Sequence, residues 1–214
     1  MNERTSPLEM QYDKLGPRVA EALNRRHFEA VYCPTPAEAV AKALSLIPEG
    51  DTVCWGGSAT IDALGLLPLV RERFSVIDRA EAKSAEERAD LQRKGLLSDT
   101  FLMSSNAISE DGQLFNIDGN GNRVAALVYG PKQVIVIAGM NKVVPTVDDA
   151  WTRARTIAAP INAQRFSLNT PCSVSGTCAD CLSESSICAS MLRTRICRPA
   201  GRIKVILVGA TLGF

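Results

Sequence analysis

The sequence has one histidine, His27, almost no net charge and no long apolar run, and each shortage removes a class of function. With its only imidazole in the charged run NRRHFE, a Ser–His or Cys–His hydrolase has no well-placed base. Lys and Arg number 24 against 23 Asp and Glu, leaving a formal charge of +1. A nucleic-acid or anionic membrane partner usually shows as a basic excess, so neither is expected. The longest apolar runs, such as VIVIAGM and IKVILVGA, are too short to span a bilayer. The start, MNERTSPLEM, is polar and lacks the apolar core of a signal peptide, which predicts a cytoplasmic protein. No internal repeat stands out, so a solenoid is not expected.

What is present is ordinary globular composition, 46% hydrophobic and 22% charged over 214 residues. That suits one large α/β domain over residues 1–214 with a sizeable core. Strand-type runs alternate with helix-type stretches. FEAVYC (28–33) predicts a strand. Thr35 and Glu38 then have capping-box spacing around Pro36, opening a helix that stops near Ile47. DTVCWGG (51–57) predicts a strand, followed by a helix over ATIDALGLLPLVRER. SVID (75–78) is a short strand, and Ser84 and Glu87 cap a helix ending near Gly95. TFLMSSNAIS and GQLFNID read as strands. QVIVIAG (133–139) is a β-branched run suited to a strand buried on both faces. A helix from about Val147 ends before Pro160, and IKVILVGA (203–210) is the last strand. This alternation predicts a mainly parallel sheet flanked by helices, with ligands outside the C-terminal strand ends.

Against this background the seven cysteines stand out. Cys33 and Cys54 sit alone on predicted strands and read as core residues. The polar stretch TPCSVSGTCADCLSESSIC is different. Cys172, Cys178, Cys181 and Cys188 have five, two and six residues between them, and Cys197 follows eight residues on. The segment 169–199 has no periodicity and reads as an irregular excursion that something must order. Four thiolates can hold a structural zinc or an iron–sulfur cluster, and the nearby chain supplies no histidine. The unequal spacing suits a four-iron, four-sulfide cubane better than a zinc ribbon. Gly176 relieves the backbone where the loop would fold round a metal. A redox dithiol at Cys178 and Cys181 is a third reading.

Three loops carry the other candidate chemistry. In WGGSAT (55–60), Gly56 and Gly57 let a ligand approach the backbone, and Ser58 and Thr60 offer hydroxyls at a helix start. A plain strand–helix turn with a serine cap is the other reading. In NIDGNGNRVA (116–125), Gly119 and Gly121 open the loop. Asp118 is a candidate base, and Arg123 a candidate anion partner beside Asn106, Asn120 and Asn122. Val124 occupies the third glycine position of a dinucleotide fingerprint, so NAD binding is not expected. A β-hairpin turn is the alternative for this loop. In GMNKVVP (139–145), Lys142 is a candidate acid/base, amine nucleophile or anion partner, with a surface lysine the plain alternative.

Taken together, VCWGGSATIDALGL, SSNAISEDGQLFNIDGNGNRVAALVYGPKQVIVIAGMNKVV, AWTRARTIAAPINAQR, the cysteine stretch and RIKVILVGATLGF resemble the LUD-domain (lactate utilisation) family over roughly residues 15–214. The resemblance implies a NagB/RpiA/CoA-transferase-like fold and the convergence of WGGSAT, DGNGNR and Lys142 on one cleft. It also implies work beside iron–sulfur partner subunits in oxidising L-lactate to pyruvate. Cys172, Cys178, Cys181 and Cys188 match a cysteine-bearing sub-branch, with Cys197 extra. The expected ligand is a small anionic metabolite, and a homo-oligomer is compatible with the sequence. The alternative is a stand-alone isomerase, CoA transferase or cyclo-ligase with a purely structural metal. Its transferase form would need Glu110 as nucleophile.

Overall fold

The computed structural model describes residues 6–214. The first five, part of the polar start considered above, lie outside the described residues. Helix α1 (Pro7–Arg25) leads into β1 (Glu29–Cys33), α2 (Pro36–Ser45) and β2 (Thr52–Trp55). Two short helices, α3 (Ala59–Ala63) and α4 (Leu66–Arg73), precede β3 (Ser75–Ile77), α5 (Ala85–Gly95) and β4 (Thr100–Met103). Then come β5 (Ala107–Ser109), β6 (Gln113–Asp118), α6 (Asn122–Val128), β7 (Gln133–Gly139) and β8 (Val143–Val144). Helix α7 (Val147–Arg153) runs through a π-helical turn (Ala154–Ala158) into α8 (Ala159–Ala163). The chain closes with α9 (Pro171–Ser175), β9 (Ser190–Thr194) and β10 (Ile203–Val208).

The main sheet has the order β1-β10-β7-β4-β2-β3, and every neighbouring pair is parallel. Its longest pairing is that of β7 and β10, in register Val136 with Val205 and Ile137 with Ile206. Alternate residues of both strands feed opposite layers. Val134, Val136, Val205 and Leu207 pack with Val19 and Leu23 of α1 and Leu127 of α6. Ile135, Ile137, Ile206 and Val208 pack with Ala39 and Ala43 of α2 and Leu66 and Val70 of α4. Burying each of these larger aliphatic side chains contributes roughly 1.5–3 kcal/mol, which explains why the two strands read as unbroken apolar runs. Cys33 and Cys54 belong to this core. Among the described residues no helix is long and apolar enough to cross a membrane.

A second, smaller sheet stands beyond the C-terminal edge, in the order β8-β5-β6-β9 with two antiparallel pairs. Phe115 of β6 meets Trp151 of α7 edge-to-face at 5.0 Å, and Ala150, Ala154 and Ala159 complete that cluster. This sheet splits the expected strand TFLMSSNAIS in two. β4 ends in the main sheet, the chain crosses through Ser104–Asn106, and β5 begins in the other.

Four further departures from the sequence reading have local causes. Helix α1 is additional: Ser6 and Glu9 form a full capping box, and Tyr12, Val19, Ala20 and Leu23 make its buried stripe despite Pro17. The expected single helix over 59–73 breaks at Gly65, whose φ of 62° is left-handed. The helix from Val147 does not stop before Pro160. The π turn loosens the ladder just where Pro160 cannot donate, and the helix continues to Ala163. Within 169–199, α9 and β9 are ordered elements, and β9 pairs with β6.

The chain's last residues fold back onto the end of β7. A Cβ at Gly139 would lie 2.6 Å from the Ala210 carbonyl and 2.8 Å from the Leu212 nitrogen. Gly139→Ala is therefore expected to cost about 1–3 kcal/mol, the usual range for overpacking. Denaturant unfolding checks this, and an unchanged midpoint would contradict the packing described.

Candidate functional site

The ends of β2, β6 and β7 deliver the three sequence loops to one place, outside the C-terminal ends of the parallel strands, where such sheets bind ligands. They surround a cleft of about 380 Å³. Ser58, Asn106, Asp118, Gly119, Asn120, Asn122, Arg123 and Lys142, all singled out from the sequence, line it together with Gly57. Gly56 lies just behind, and Gly121 opens onto an adjoining groove.

Lys142 ends the short 3-10 turn after β7 and is only 3% exposed. Its Nζ donates to Thr60 Oγ1 at 2.8 Å and to Ser104 Oγ at 3.0 Å. Thr60 Oγ1 in turn donates to the Leu212 carbonyl at 3.2 Å. Burial foremost, then the charges of Arg153 and Arg123, bring the ammonium pKa down to about 7. An amine poised there can take or give a proton at neutral pH, or attack a carbonyl.

Arg123 plays a different part from the anion clamp expected of it. Its Nη1 donates to the Ser104 carbonyl at 2.9 Å and Asn116 Oδ1 at 2.7 Å. Its Nη2 donates to Asn106 Oδ1 at 3.1 Å and the Ile117 carbonyl at 2.6 Å. Nε lies 3.7 Å from Asp118 Oδ2. With these donors committed inside the protein, Arg123 reaches the cleft through its charge. Asp118 is likewise occupied. Oδ1 accepts from the backbone of Asn120 and Gly121, and Oδ2 from that of Arg123 and Val124. The DGNGNR loop is thus a strand-to-helix handover organised by Asp118, with Gly121 at φ 80°, and not a hairpin turn. Ser58 is used as a cap, accepting from the Ile61 N–H at 3.3 Å.

The glycines of WGGS are explained by close approach. A Cβ at Gly56 would lie 2.9 Å from Arg123 Cδ, and one at Gly57 would lie 2.5 Å from Arg79 Nη2.

Several lining residues were not singled out as site residues in the sequence. Arg79, Asn162, Arg165, Phe166 and Phe214 all face the cleft. Arg165 stands 5.9 Å from the ring centres of both Phe166 and Phe214. Arg153, buried behind, donates to the backbone carbonyls of Asn141 and Asn106. Only their place in the fold reveals them, since isolated arginines in helices have no spacing signal. Among the described residues the sole carboxylate lining the cleft is Asp118, against Arg79, Arg123, Lys142 and Arg165. The charged side chains of the lining are thus mostly cationic.

Beside it lies a pocket of about 150 Å³ lined by Cys172, Cys178, Cys181 and Cys188. Burial raises the Cys188 pKa, with further contributions from Cys178, Cys172 and Cys181, so the four thiols lie within electrostatic reach of one another. No three of the described His, Cys, Asp or Glu side chains are gathered tightly enough as they stand to hold a metal ion. Cys197 is separate: it is buried in the core, donating to the Pro199 carbonyl and accepting from the Ile203 N–H. Ile187 lines both the thiol pocket and the cleft, and its Cα would lie 3.0 Å from a Cβ at Gly119.

A depressed lysine pKa has a stability consequence. Unfolding returns Lys142 to its ordinary value of 10.5, so between about pH 7 and 10.5 the unfolded chain binds the extra proton. Stability from this group therefore rises with pH across that window, by about 1.4 kcal/mol per unit. Relative to wild type, Lys142→Met is expected to gain stability as pH falls from 10 to 7. Parallel unfolding curves at the two pH values would show an ordinary lysine.

Similarity to known proteins agrees with this architecture. A DUF162 family protein from Deinococcus radiodurans superposes with a TM-score of 0.53, covering 92% of this chain and 97% of that one at 14% identity. The delta subunit of eIF2B from Chaetomium thermophilum gives 0.37 over 55% of this chain and 50% of that one, at 19% identity. Ribose 5-phosphate isomerase A from Methanocaldococcus jannaschii gives 0.34 over 52% and 55%, also at 19% identity. These last two likenesses extend over only part of the chain. No curated protein matches the sequence. The LUD domain model matches residues 17–208, nearly the whole length, and the chain belongs to the LUD-domain, or lactate-utilisation, family.

Proposed function

We propose that this protein is a cytoplasmic, redox-associated subunit in the oxidation of lactate or a related small organic acid. It would combine the anion cleft with a four-cysteine metal site. The observation that carries the reading is adjacency: four thiols line one pocket, and Ile187 of its wall is also a wall of the cationic cleft. In this reading Arg165 and Arg79 attract the carboxylate. Lys142, with its pKa near 7, would take the hydroxyl proton, while the Cα hydrogen would leave with its two electrons to a redox group of the partner subunits as the hydroxy acid becomes a keto acid. Asp118 and Arg123 position the loop and contribute field, and do not exchange protons.

The thiol pocket suits a metal centre by its donors. All four cysteines are free and only partly exposed. Arg155 lines the same pocket, pairs with Asp180 at 2.5 Å, and leaves its buried Nε without a partner among the described residues. A guanidinium there favours thiolates, and its spare N–H is a donor for sulfur. Cys172, Cys178, Cys181 and Cys188 would hold an iron–sulfur cluster, which supplies one-electron transfer when bound, or else a structural zinc. Iron–sulfur partner subunits would complete the assembly. The stand-alone enzyme reading draws on Lys142 as well. Its CoA-transferase form lacks a nucleophile, because Glu110 is not among the lining residues.

Anaerobic purification with a visible spectrum and metal and sulfide analysis tests the proposal. About four iron and four sulfide per chain are expected. Cys178→Ser and Cys181→Ser should lose the colour, while Cys197→Ala should keep it. One zinc per chain would turn the site into a structural staple. Protein free of both metals after anaerobic purification would overturn the redox reading.

A further inference from the structure

The cleft is larger than a three-carbon acid needs, and it does not end at Asn120 and Asn122. Those two residues also line an adjoining groove of about 880 Å³, between the DGNGNR loop and helix α5. At about 380 Å³ the cleft alone already lies within the range that holds drug-sized molecules. Cleft and groove together form a continuous depression.

The charges along the groove have one sign. Lys83, Arg88 and Arg93 line the groove, and no carboxylate lines it among the described residues. Arg93 is answered by Asp90 at 2.8 Å. Arg79, Lys83 and Arg88 have no side-chain hydrogen bond or ion pair among the described residues. Asp78, next to Arg79, does not neutralise it. Its Oδ2 accepts both Nε and Nη2 of Arg71 at 3.1 and 2.7 Å, and its Oδ1 caps the Ala80 N–H. Arg79 is instead pressed over Gly57 at the inner end of the depression. Burial and the nearby charge of Arg88 both disfavour its protonated state. Asp78 and Asp118 offset this only in part, and neither makes an ion pair with Arg79; two guanidiniums within mutual range and without a paired carboxylate are stabilised by a shared anion. Planar donor forks of this kind match phosphate oxygens.

We propose that the ligand is a phosphate-bearing molecule of nucleotide size. Its phosphates would occupy the groove on Lys83 and Arg88 and reach Arg79 on the cleft side, and its reacting end would lie in the cleft at Lys142. This rests on the cleft being the ligand site, but not on lactate chemistry or on a metal in the thiol pocket. It predicts that the loop Asn120–Asn122, shared by both cavities, touches the middle of the ligand.

Isothermal titration calorimetry with ADP, inorganic pyrophosphate, citrate and pyruvate tests it, on protein whose fold is checked by circular dichroism. ADP and pyrophosphate should bind more tightly than citrate. Arg79→Gln and Arg88→Gln should each weaken both by tenfold or more. Arg88 is exposed, so Arg88→Gln leaves the core untouched, and it should leave pyruvate binding unchanged. Citrate binding as tightly as pyrophosphate would reduce the groove to bulk charge and overturn the proposal. So would ADP binding that is absent or indifferent to Arg88→Gln. Pyruvate binding in the absence of ADP binding would sink this inference while keeping the small-acid reading. Arg88-dependent ADP binding with no pyruvate binding would do the reverse.

Discussion

The site hangs on one buried guanidinium. Arg123 joins the end of β4, the crossover to β5, strand β6 and the loop that follows, through four hydrogen bonds and the nearby Asp118 carboxylate. An ionised group out of water is costly unless its donors are met, so this arrangement is all or nothing. Shortening the side chain would strand Asn106, Asn116 and two carbonyls and leave Asp118 uncompensated. The same side chain dictates its neighbour in sequence space, because Gly56 leaves room for its methylenes. WGGS and DGNGNR, far apart in the chain, are therefore two halves of one fitting.

That fitting sets the chemistry of the lysine beside it. Arg123 and Arg153 are held in place by backbone carbonyls and keep their charge, as guanidiniums do. Lys142, equally buried and with only hydroxyl partners, is the member of the trio that can shed a proton. Its near-neutral pKa follows from the architecture of the two sheets, since the junction between them is where all three cations are brought together. The Thr60 and Ser104 hydroxyls suit either state, accepting from the ammonium or turning to donate to the amine.

What could be read from the sequence and what could not divide along physical lines. The buried strands β7 and β10 announce themselves by composition, and Thr35, Ser84 and Ser58 announce helix starts because capping needs a side chain at a fixed offset. The cleft residues Ser58 and Lys142 were placed by lying just after strands. Helix α1 was hidden by Pro17 and by a charged face that dilutes its stripe. The second sheet was hidden because β5 and β8 are three and two residues long, too short for period-two alternation to register. Arg123 and Asp118 were found, but their roles were misread. Whether an arginine clamps a ligand or a carbonyl depends on contacts far away in the chain, and loop spacing holds no record of them. Arg79 had no local signature at all, and Arg165 only its place in AWTRARTIAAPINAQR.

The cysteine segment bears on the cleft through β9, whose Ser190 pairs with Asp118, and through Ile187. Ile187 precedes Cys188, so anything that fixes Cys188 fixes the backbone that rests on Gly119, where even a methyl group would crowd it. The segment is otherwise lightly held. Val174 and Leu182 are exposed, and α9 lacks a side-chain cap. A segment with few anchors of its own takes its order from whatever occupies its pocket. Because Ile187 is common to both walls, filling the thiol pocket and filling the cleft restrict the same residue. Two binding events that order one element favour each other by equal amounts. Occupants of the thiol pocket and of the cleft would thus be coupled through Ile187, whether a metal held there moved electrons or only fixed the wall.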